Sequence, residues 1–494
     1  MSETPGILSY GVYIPKTRLQ RSAIYGAHAW FAPQLKALAT GERATASWDE
    51  DPVTMGVEAA RDALEGVDRS LIGSLGLAST TLPFADRLNA GIVKEALNLA
   101  DEVRAADFGG GQRAGTSMLI EMLNSSGHER QHRLCIGAEM RKARPGSEAE
   151  LTYGDAAAAF VVGKGEPCAH FLGARSVTVD FVDHFRATGV DVDYFWESRW
   201  IRDEGYTRLV GEALRSSLSA FGAAPAEISH AVIAISAPGV AQSLARNAGL
   251  RPDTVADTLA ATVGDPGVAH PLLLLAAALD RAKAGEKILL VSFGQGVDVL
   301  LLQATNALER AARRKTVAAA LARRRPQENY LRFLFHRGQL DLERGMRAEH
   351  DQKQPGTTLY RNRKAVFALV GGRSRKTGTV QFPKSAIGVD PNDPSIGAQD
   401  DHPLAERLAR IVTYTADNLT YSPDPPACYG MIDFDGGGRM IAEFADVVPA
   451  DLAVGNRMRM VFRVKAVDEM RHFKRYFWKA TPVDRRNSSE KTDG

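Results

Sequence analysis

The stretch ADFGGGQRAGTSMLI (residues 106–120) constrains the fold of this chain more than any other. It predicts a short strand, a tight turn at the three glycines 109–111, and a helix that begins near Arg113. The start of a helix has unpaired N–H groups and the positive end of the dipole, and both favour negative charge. We therefore expect the turn to present the side chain of Gln112 to a pocket at a helix N-terminus.

Length and composition set the broad class of the molecule. A chain of 494 residues is too long for one core, so we expect two or three domains. Hydrophobic residues make up 44% and charged residues 24%, which is typical of a soluble globular protein. The net charge of +2 favours no class of partner, and the basic run at 309–327 is interpreted as a solvated linker helix.

Several negative features bear on location and cofactors. The N-terminus has no apolar run behind a basic start, and the apolar stretch at 271–279 is too short for a membrane span. Cys135, Cys168 and Cys428 are too widely spaced for a disulfide framework or a metal cluster. We expect a cytoplasmic protein without bound metal and without a membrane or nucleic-acid partner.

One order of elements occurs twice in the first 300 residues. A buried strand at 71–81 delivers Thr80 at its end, before the glycine turn described above. In the second half the stretch SHAVIAISAPGV (229–240) begins with a strand that ends at Ser236, and TVGDPGVAHPLLLLAAAL (262–279) again places a glycine turn before a helix. The repeat predicts an α/β fold with an internal duplication and a site between its halves. The nearly continuous apolar strands predict sheets that are covered on both faces.

These motifs carry a resemblance to a known family. Residues 1 to about 306 resemble the thiolase superfamily, nearest to its hydroxymethylglutaryl-CoA synthase-like and initiating ketoacyl-synthase-like branch. The matching motifs are YGVYIPKTRL, STTLPFADR, GGGQRAGTSML, YGDAAAAF, VGDPGVAHPLLLLAAAL and SFGQG, in the same order. The resemblance implies duplicated αβαβα layers, a coenzyme A thioester as substrate, and a homodimer formed through this half.

The C-terminal third has a different pattern. Short strands with glycine turns from about residue 360 predict a small antiparallel barrel, for example an OB-fold. Residues 328–482 resemble the zinc-ribbon and OB-fold proteins that partner thiolase-like subunits, through YTADNL, PPACYG, FDGGGR and YFWKATP. The cysteines of the ribbon fall here on other residues: Ser374, Thr377, Gly388 and Asp393. Because these are not a zinc ligand set, we expect no structural zinc.

The fusion to a thiolase-like half favours a scaffold, or a wall of the acyl-CoA site, over single-stranded nucleic-acid binding for the OB-fold. The predicted organisation is a thiolase-like N-terminal half (1–170), a thiolase-like C-terminal half (171–307), a helical linker (308–359), a degenerate zinc ribbon with OB-fold (360–482) and a tail (483–494).

The resemblance also implies which residues occupy the catalytic positions. The acid, cysteine, histidine and asparagine of the family's synthases fall on Thr80, Gln112, Ser236 and Asp265. Because none of these supplies a thiolate or an imidazole, we expect the acyl-cysteine route to be absent. Gln112 is predicted to donate to a substrate carbonyl or enolate oxygen. The alternative is that it only fills the space of the cysteine.

His270 is the predicted general base or acid, because it lies five residues beyond Asp265 at the second helix start. The alternative is a histidine bonded to the backbone. Asp265 would either orient the imidazole or cap the helix. Thr80 and Ser236 are predicted to hydrogen-bond the substrate, with simple packing at strand ends as the alternative.

Substrate-binding residues are predicted in two places. The segment 180–206 is rich in charged and aromatic residues, and we interpret it as a loop over the pocket or as a capping or dimer-contact segment. Its candidates are His184, Arg186, Tyr194 and Trp200. The second glycine turn supplies Gly294, Gln295 and Gly296. Cys135, in an apolar strand, is interpreted as a buried hydrophobe.

The leading hypothesis is an acyl-CoA enzyme that makes or breaks a carbon–carbon bond next to a carbonyl without a cysteine nucleophile. Retro-aldol or retro-Claisen cleavage and acetyl-CoA-dependent acyl transfer all suit these residues. Decarboxylation is an alternative, because glutamine at the cysteine position is compatible with decarboxylating members of the superfamily. A catalytically silent CoA-ester-binding or assembly protein is a second alternative, since all four expected side chains are replaced.

Overall fold

The computed structural model describes residues 2–125, 131–312 and 316–483. Residues 484–494 of the predicted tail lie outside the described residues. Contacts divide the chain into two units, one comprising 1–47, 51–93 and 99–337 and the other comprising 48–50, 94–98 and 338–494. Within the described ranges, no helix combines the length and the apolar character that crossing a membrane requires.

The strands of the first unit are β1 (Ser2–Tyr13), β2 (Thr17–Gln20), β3 (Glu42–Ala44), β4 (Ile72–Ala78), β5 (Arg104–Phe108), β6 (His132–Glu139), β7 (Ala156–Gly165), β8 (Ala169–Thr178), β9 (His184–Phe185), β10 (Tyr194–Phe195), β11 (Ile228–Ala234), β12 (Lys287–Phe293), β13 (Gly296–Ala304) and β14 (Arg325–Gln327). The main sheet has the order β11-β12-β13-β8-β1-β7-β6-β4-β5. In it β4 is parallel to both β5 and β6, and β11 is parallel to β12. The remaining pairs are antiparallel.

The α-helices of the chain are α1 (Arg21–His28), α2 (Pro52–Ala63), α3 (Asn89–Ala96), α4 (Ala114–Ser125), α5 (Glu148–Thr152), α6 (Ser198–Trp200), α7 (Gly211–Ala220), α8 (Val240–Asn247), α9 (His270–Leu279), α10 (Leu308–Ala312), α11 (Thr316–Ala322), α12 (Tyr330–His336), α13 (Gly356–Arg361) and α14 (Arg363–Ala368). A π-helix at Ile201–Val210 joins α6 to α7. The segment predicted as a linker contains α10 to α12, most of α13, and also strand β14, which pairs in parallel with β2.

The internal duplication is visible in the order of elements. Helix α4 precedes the antiparallel pair β6–β7, and helix α9 precedes the antiparallel pair β12–β13. The two helices pack against each other in one apolar cluster, where Leu119, Leu123, Leu272 and Leu273 are fully buried. Burial of each such side chain stabilises the fold by about 1.5–3 kcal/mol. The predicted α/β class with an internal duplication is therefore confirmed.

Close packing at the helix starts depends on Gly115 in the first turn of α4. A Cβ on Gly115 would lie 2.7 Å from the carbonyl oxygen of Val268, in the turn before α9. This approach brings the N-terminal ends of α4 and α9 together. The residues that precede the two helices, Gln112 and Asp265, are thereby placed on the same side of the sheet.

The second unit contains β15 (Val370–Ser374), β16 (Val380–Gln381), β17 (Gln399–Pro403), β18 (Ala409–Asp417), β19 (Ala427–Phe434), β20 (Arg439–Glu443), β21 (Arg457–Asp468) and β22 (Phe473–Pro482). Strands β16-β15-β17 form one antiparallel sheet, and β20-β19-β18-β21-β22 form another. Phe462 stacks on Tyr476 and contacts Trp478 edge-on in the core of the larger sheet. This arrangement agrees with the predicted OB-fold.

Two of the positions assigned to ribbon cysteines meet in the smaller sheet. The Ser374 hydroxyl donates a hydrogen bond to the Asp393 carboxyl. The N–H groups of Lys376 and Thr377 donate to Ser374 Oγ, each at 3.1 Å. Among the residues that the structure describes, no group of three or more His, Cys, Asp or Glu side chains is arranged to hold a metal ion. Hydrogen bonds thus join the loops that a metal joins in a zinc ribbon.

The strands predicted from about residue 360 begin later in the structure, because the apolar run KAVFALVGG (364–372) is helical in its first half. Helix α14 covers Arg363–Ala368, and strand β15 begins only at Val370. Lysine and alanine are good helix formers, and Trp478 Nε1 donates to the carbonyl oxygen of Phe367 at the end of this helix. A tertiary contact therefore stabilises a helix where the apolar run alone indicated a strand.

The prediction of a loop over 180–206 is wrong in its last third, because the chain is helical from Ser198 onward. Ion pairs between residues four apart support the helix on its exposed face, including Arg208 with Glu204 at 2.6 Å. On the other face Trp200 stacks on Phe181, with ring centroids 4.1 Å apart. Ion pairs and ring stacking therefore stabilise this helix. The sequence lacks the regular apolar spacing from which a helix is predicted.

Candidate active site

The carboxyl ends of the parallel strands β5, β4 and β6 meet at one edge of the sheet, which is where open α/β sheets bind ligands. Gln112 follows β5, in the turn before α4. A Cβ on Gly294 would lie 3.0 Å from Gln112 Cβ, so the second glycine turn packs directly against this residue. The buried Gln112 Oε1 accepts no hydrogen bond from any described residue.

An open cleft of about 390 Å³ adjoins the two glycine turns. Its lining includes Arg113, Gly294 and Gln295 together with the glycines at 109–111. Gln112 is not among the lining residues, so the predicted exposure of its side chain to this cleft is not confirmed. Arg113 holds the turns together, because its Nε donates to the Gly294 carbonyl oxygen at 2.8 Å and its guanidinium pairs with the fully buried Asp298 at 2.6 Å.

The predicted substrate residues of the second turn divide into two groups. Gly294 and Gln295 line this cleft. Gly296 begins β13, where it pairs with Thr178 of β8.

Glu139 is a buried carboxylate that sequence reasoning missed. It ends β6 and accepts hydrogen bonds from Ser79 Oγ at 3.1 Å, from Thr80 N and Oγ1 at 3.1 and 3.0 Å, and from Thr81 Oγ1. Thr80, a predicted substrate-binding residue, is therefore engaged with Glu139. The available signal was an acid at the end of the otherwise apolar strand RLCIGAEM, beside a parallel strand that ends in Ser-Thr-Thr.

Arg141 is a second residue that sequence reasoning missed. Its buried guanidinium pairs with Asp265 Oδ1 at 3.1 Å, approaches Asp193 Oδ2 at 3.8 Å, and lies 3.7 Å from the ring centroid of Tyr153. Burial disfavours the charge, but Tyr153 and the two carboxylates raise the pKa of Arg141 above its ordinary value. Its Nε has no acceptor among the described residues. Arg141 therefore stays charged and keeps one donor free.

Asp265 lies between Arg141 and His270. Its Oδ1 also accepts the Gly267 N–H at 2.8 Å, and His270 Nδ1 is 3.8 Å away. Burial works against ionisation, but Arg141, His270 and the Gly267 N–H outweigh it and lower the pKa of Asp265. The Ser236 hydroxyl acts in the same direction. The structure thus brings together the predicted residues Ser236, Asp265 and His270.

The imidazole of His270 is more deeply buried than the Asp265 carboxyl. Its Nε2 is 2.9 Å from the carbonyl oxygen of Thr258, so this nitrogen is the donor. The His270 side chain is 3% exposed, whereas that of Asp265 is 30% exposed. Between these two residues, Asp265 offers the more accessible group.

The segment before the π-helix contributes Arg186 to the site. Arg186 donates to Asp193 Oδ1 at 2.7 Å and to the carbonyl oxygen of Thr80. Asp193 Oδ2 in turn accepts the Tyr153 hydroxyl at 2.6 Å. Since the Arg141 guanidinium lies over the ring of Tyr153, these hydrogen bonds connect the segment to the polar cluster formed by Arg141, Asp193 and Asp265.

The other predicted residues of the segment have different surroundings. His184 pairs with Asp183 at 2.9 Å and stacks on Phe195. Tyr194 is exposed at the surface, and Trp200 packs on Phe181 as described above.

Tyr206, on the π-helix, is a third group that the loop interpretation missed. Its ring contacts Phe293, next to Gly294, with centroids 5.3 Å apart. Burial and the carboxylates of Asp183 and Asp265 raise the pKa of Tyr206, so the phenol stays protonated. Single π-helical turns are frequent at functional sites.

The cysteines offer no thiolate to this site. Cys135, Cys168 and Cys428 are all buried, as predicted for Cys135. Burial raises the pKa of the Cys135 thiol, and it also raises that of Cys428. A protonated, enclosed thiol is not a nucleophile.

Known structures identify the class of the fold. The first unit is similar to MvaS in complex with 3-hydroxy-3-methylglutaryl coenzyme A, with a TM-score of 0.59, 20% identity, and coverage of 68% of this chain and 92% of that chain. It is also similar to 3-oxoacyl-[acyl-carrier-protein] synthase III from Aquifex aeolicus VF5, with a TM-score of 0.54, 21% identity, and coverage of 60% and 99%. The fold is that of the thiolase superfamily.

Sequence relatives identify the family. Hydroxymethylglutaryl-CoA synthase of Archaeoglobus fulgidus is 31% identical over 341 residues, 67% of this chain and 98% of that protein. The enzyme of that name from Thermococcus gammatolerans is 30% identical over 297 residues, 59% of this chain and 83% of that protein. The chain belongs to the hydroxymethylglutaryl-CoA synthase family. Residues 404–463 match the family model of the ChsH2 C-terminal OB-fold domain. The predicted resemblance of the first part and the predicted OB-fold are therefore confirmed.

Proposed function

We propose that this chain is an acyl-CoA enzyme that makes or breaks the carbon–carbon bond next to the thioester carbonyl without forming an acyl-enzyme. One observation carries the proposal. Gln112 precedes the first turn of α4 and packs against both the second glycine turn and the Asp265 turn. The three cysteines are buried and none of them occupies this position. Membership of the family and the coenzyme A ester bound by MvaS support a CoA thioester as substrate.

Gln112 supplies stabilisation of negative charge in this proposal. Its Oε1 is the buried end of the amide and faces Gly267, which leaves the NH₂ end to donate to the thioester oxygen. The N–H groups of the first turn of α4 add to this effect. Donors that are already in place when an enolate forms lower the barrier by several kcal/mol.

Proton transfer is assigned to Asp265, with His270 as its positioning residue. For a β-hydroxyacyl-CoA, Asp265 accepts the hydroxyl proton while the Cα–Cβ bond breaks. The β-carbon leaves as a carbonyl product, and the electron pair of the bond forms the enolate at Gln112. Return of the proton to the α-carbon gives the shortened acyl-CoA. The reverse sequence forms the bond.

The activity test uses the whole chain with β-hydroxyacyl- and β-ketoacyl-CoA esters, and mass spectrometry to identify the products. We expect cleavage by the natural chain and a loss of about 10²–10³-fold in kcat for Gln112→Ala, the usual effect of removing one oxyanion donor. Gln303→Ala, on β13, is the matched control and keeps full activity. Saturable binding of these esters with no turnover would instead support the silent assembly protein.

The proposal extends to the location and the oligomeric state of the protein. We infer a cytoplasmic homodimer formed through the first unit. Strand β5 is the last strand of the main sheet, which leaves one of its edges available for pairing with a second copy. Light scattering in solution measures the mass directly, and a monomeric mass would contradict this part.

A further inference from the structure

Charged groups are unequally distributed around Gln112. The polar cluster contains more carboxylates than guanidinium groups. Its carboxylates are Glu139, Asp193 and Asp265, and its guanidinium groups are Arg141 and Arg186. A further carboxylate, Asp183, pairs with His184 at 2.9 Å and is close enough to Tyr206 to raise the pKa of that phenol. The adjacent pairs Arg113–Asp298 and Arg337–Asp155 are each balanced within themselves and do not change this excess.

Both guanidinium groups are already neutralised by the protein. Arg141 is shared between Asp265 and Asp193, and Arg186 is bound to Asp193 and to a backbone carbonyl. Glu139, by contrast, receives hydrogen bonds from hydroxyl and amide groups. The site therefore has no surplus cation among its described residues with which to compensate a further negative charge.

Buried hydrogen-bonding atoms without a partner in the described part of the chain also favour a ligand without negative charge. Asp183 Oδ1 is a buried acceptor that receives no hydrogen bond from the described residues. A hydroxyl on a ligand can donate to this oxygen, whereas a carboxylate has no proton to give. The one free donor of the cluster, Arg141 Nε, suits a carbonyl or hydroxyl oxygen.

Building on the proposed function, we propose that the acyl group bound beside Gln112 is uncharged and carries a hydroxyl or keto oxygen. Acyl-CoA esters whose acyl chain ends in a free carboxylate are rejected. Burying a carboxylate without a partner, beside other carboxylates, is strongly unfavourable. The chain thereby differs from MvaS, whose bound 3-hydroxy-3-methylglutaryl group carries such a carboxylate. The same charge excess argues against a β-carboxyacyl substrate and hence against decarboxylation.

The test compares 3-hydroxy-3-methylglutaryl-CoA with its methyl ester, which has the same skeleton without the charge. Titration of the full chain measures Kd by calorimetry, and turnover is recorded separately. We expect the ester to bind about 100-fold more tightly, because juxtaposed like charges are costly in a closed site. Equal affinities, or tighter binding of the acid, would overturn the inference and leave the proposed function standing.

A charge variant makes the comparison specific. Asp183→Asn removes one carboxylate and keeps its shape, so we expect the preference for the ester to fall about 10-fold. Asp191→Asn is the control, since Asp191 is 73% exposed and pairs with Lys142, and it leaves the preference unchanged. Selective binding of the ester without turnover would support the inference and contradict the proposed function. Failure of both compounds to bind would overturn both.

Discussion

The guanidinium of Arg141 lies over the ring of Tyr153, 3.7 Å from its centroid, and is within 4 Å of the carboxylates of Asp265 and Asp193. An unpaired charge at this depth would be very unfavourable, so the three groups depend on one another. The sequence alone indicated Asp265 through the glycine turn that precedes α9. It could not indicate Arg141, because the carboxylates that compensate its charge, Asp193 and Asp265, belong to segments distant from it in the sequence.

Removal of this cation has a consequence for pH dependence. Asp265 must be ionised to accept a proton, so kcat/KM is lost as the pH falls through its pKa. In the natural chain Arg141 helps to hold that pKa below its ordinary value of 3.8. In Arg141→Met burial remains without the cation, so the pKa rises and the acid limb moves to higher pH by about one unit or more. A pH–rate profile measures the shift.

The conservative variant distinguishes this electrostatic role from a structural one. Arg141→Lys keeps the positive charge, and we expect its acid limb to stay near that of the natural chain even if its stability is lower. An acid limb that is unchanged in Arg141→Met would show that Asp265 is not the group that titrates.

At the scale of elements, the turn at Gly267, before α9, packs directly against the side chains of Gln112 and Arg141. Gly267 has φ +51°, and a Cβ there would lie 2.6 Å from Gln112 Oε1 and 3.0 Å from Arg141 Nε. The glycine turns and both helix starts could be predicted from the sequence, because glycine spacing and helical periodicity are local. The helix of 198–210 could not, since its stability depends on ring stacking and on ion pairs rather than on an apolar stripe.

Substitution of this glycine tests the geometry of the amide. Gly267→Ala forces Gln112 Oε1 or Arg141 to move, and we expect kcat/KM to fall about 10²-fold, as for other displacements of about 1 Å in active sites. Gly239→Ala is the matched control: Gly239 also has a positive φ, +75°, before α8, but its Cβ would meet no atom within 4 Å. If both variants lose activity equally, backbone strain rather than displacement of Gln112 is the cause.

At the scale of the whole molecule, the chain combines a unit of the hydroxymethylglutaryl-CoA synthase family with an OB-fold unit. Both folds could be predicted because their motifs occur in order over hundreds of residues. The chemistry could not be predicted to the same degree. Motif positions indicated Gln112, Ser236 and Asp265, whereas Glu139 and Arg141 became visible only when the carboxyl ends of β4 and β6 were placed side by side.

The central claim is that this site works on thioesters without a sulfur nucleophile. Intact-protein mass spectrometry of the full chain, sampled on the millisecond-to-second scale during turnover of a β-hydroxyacyl-CoA, tests it most directly. We predict that products accumulate while the protein mass stays that of the unmodified chain. A transient increase by the mass of the acyl group, localised to Cys135, Cys168 or Cys428, would contradict the account.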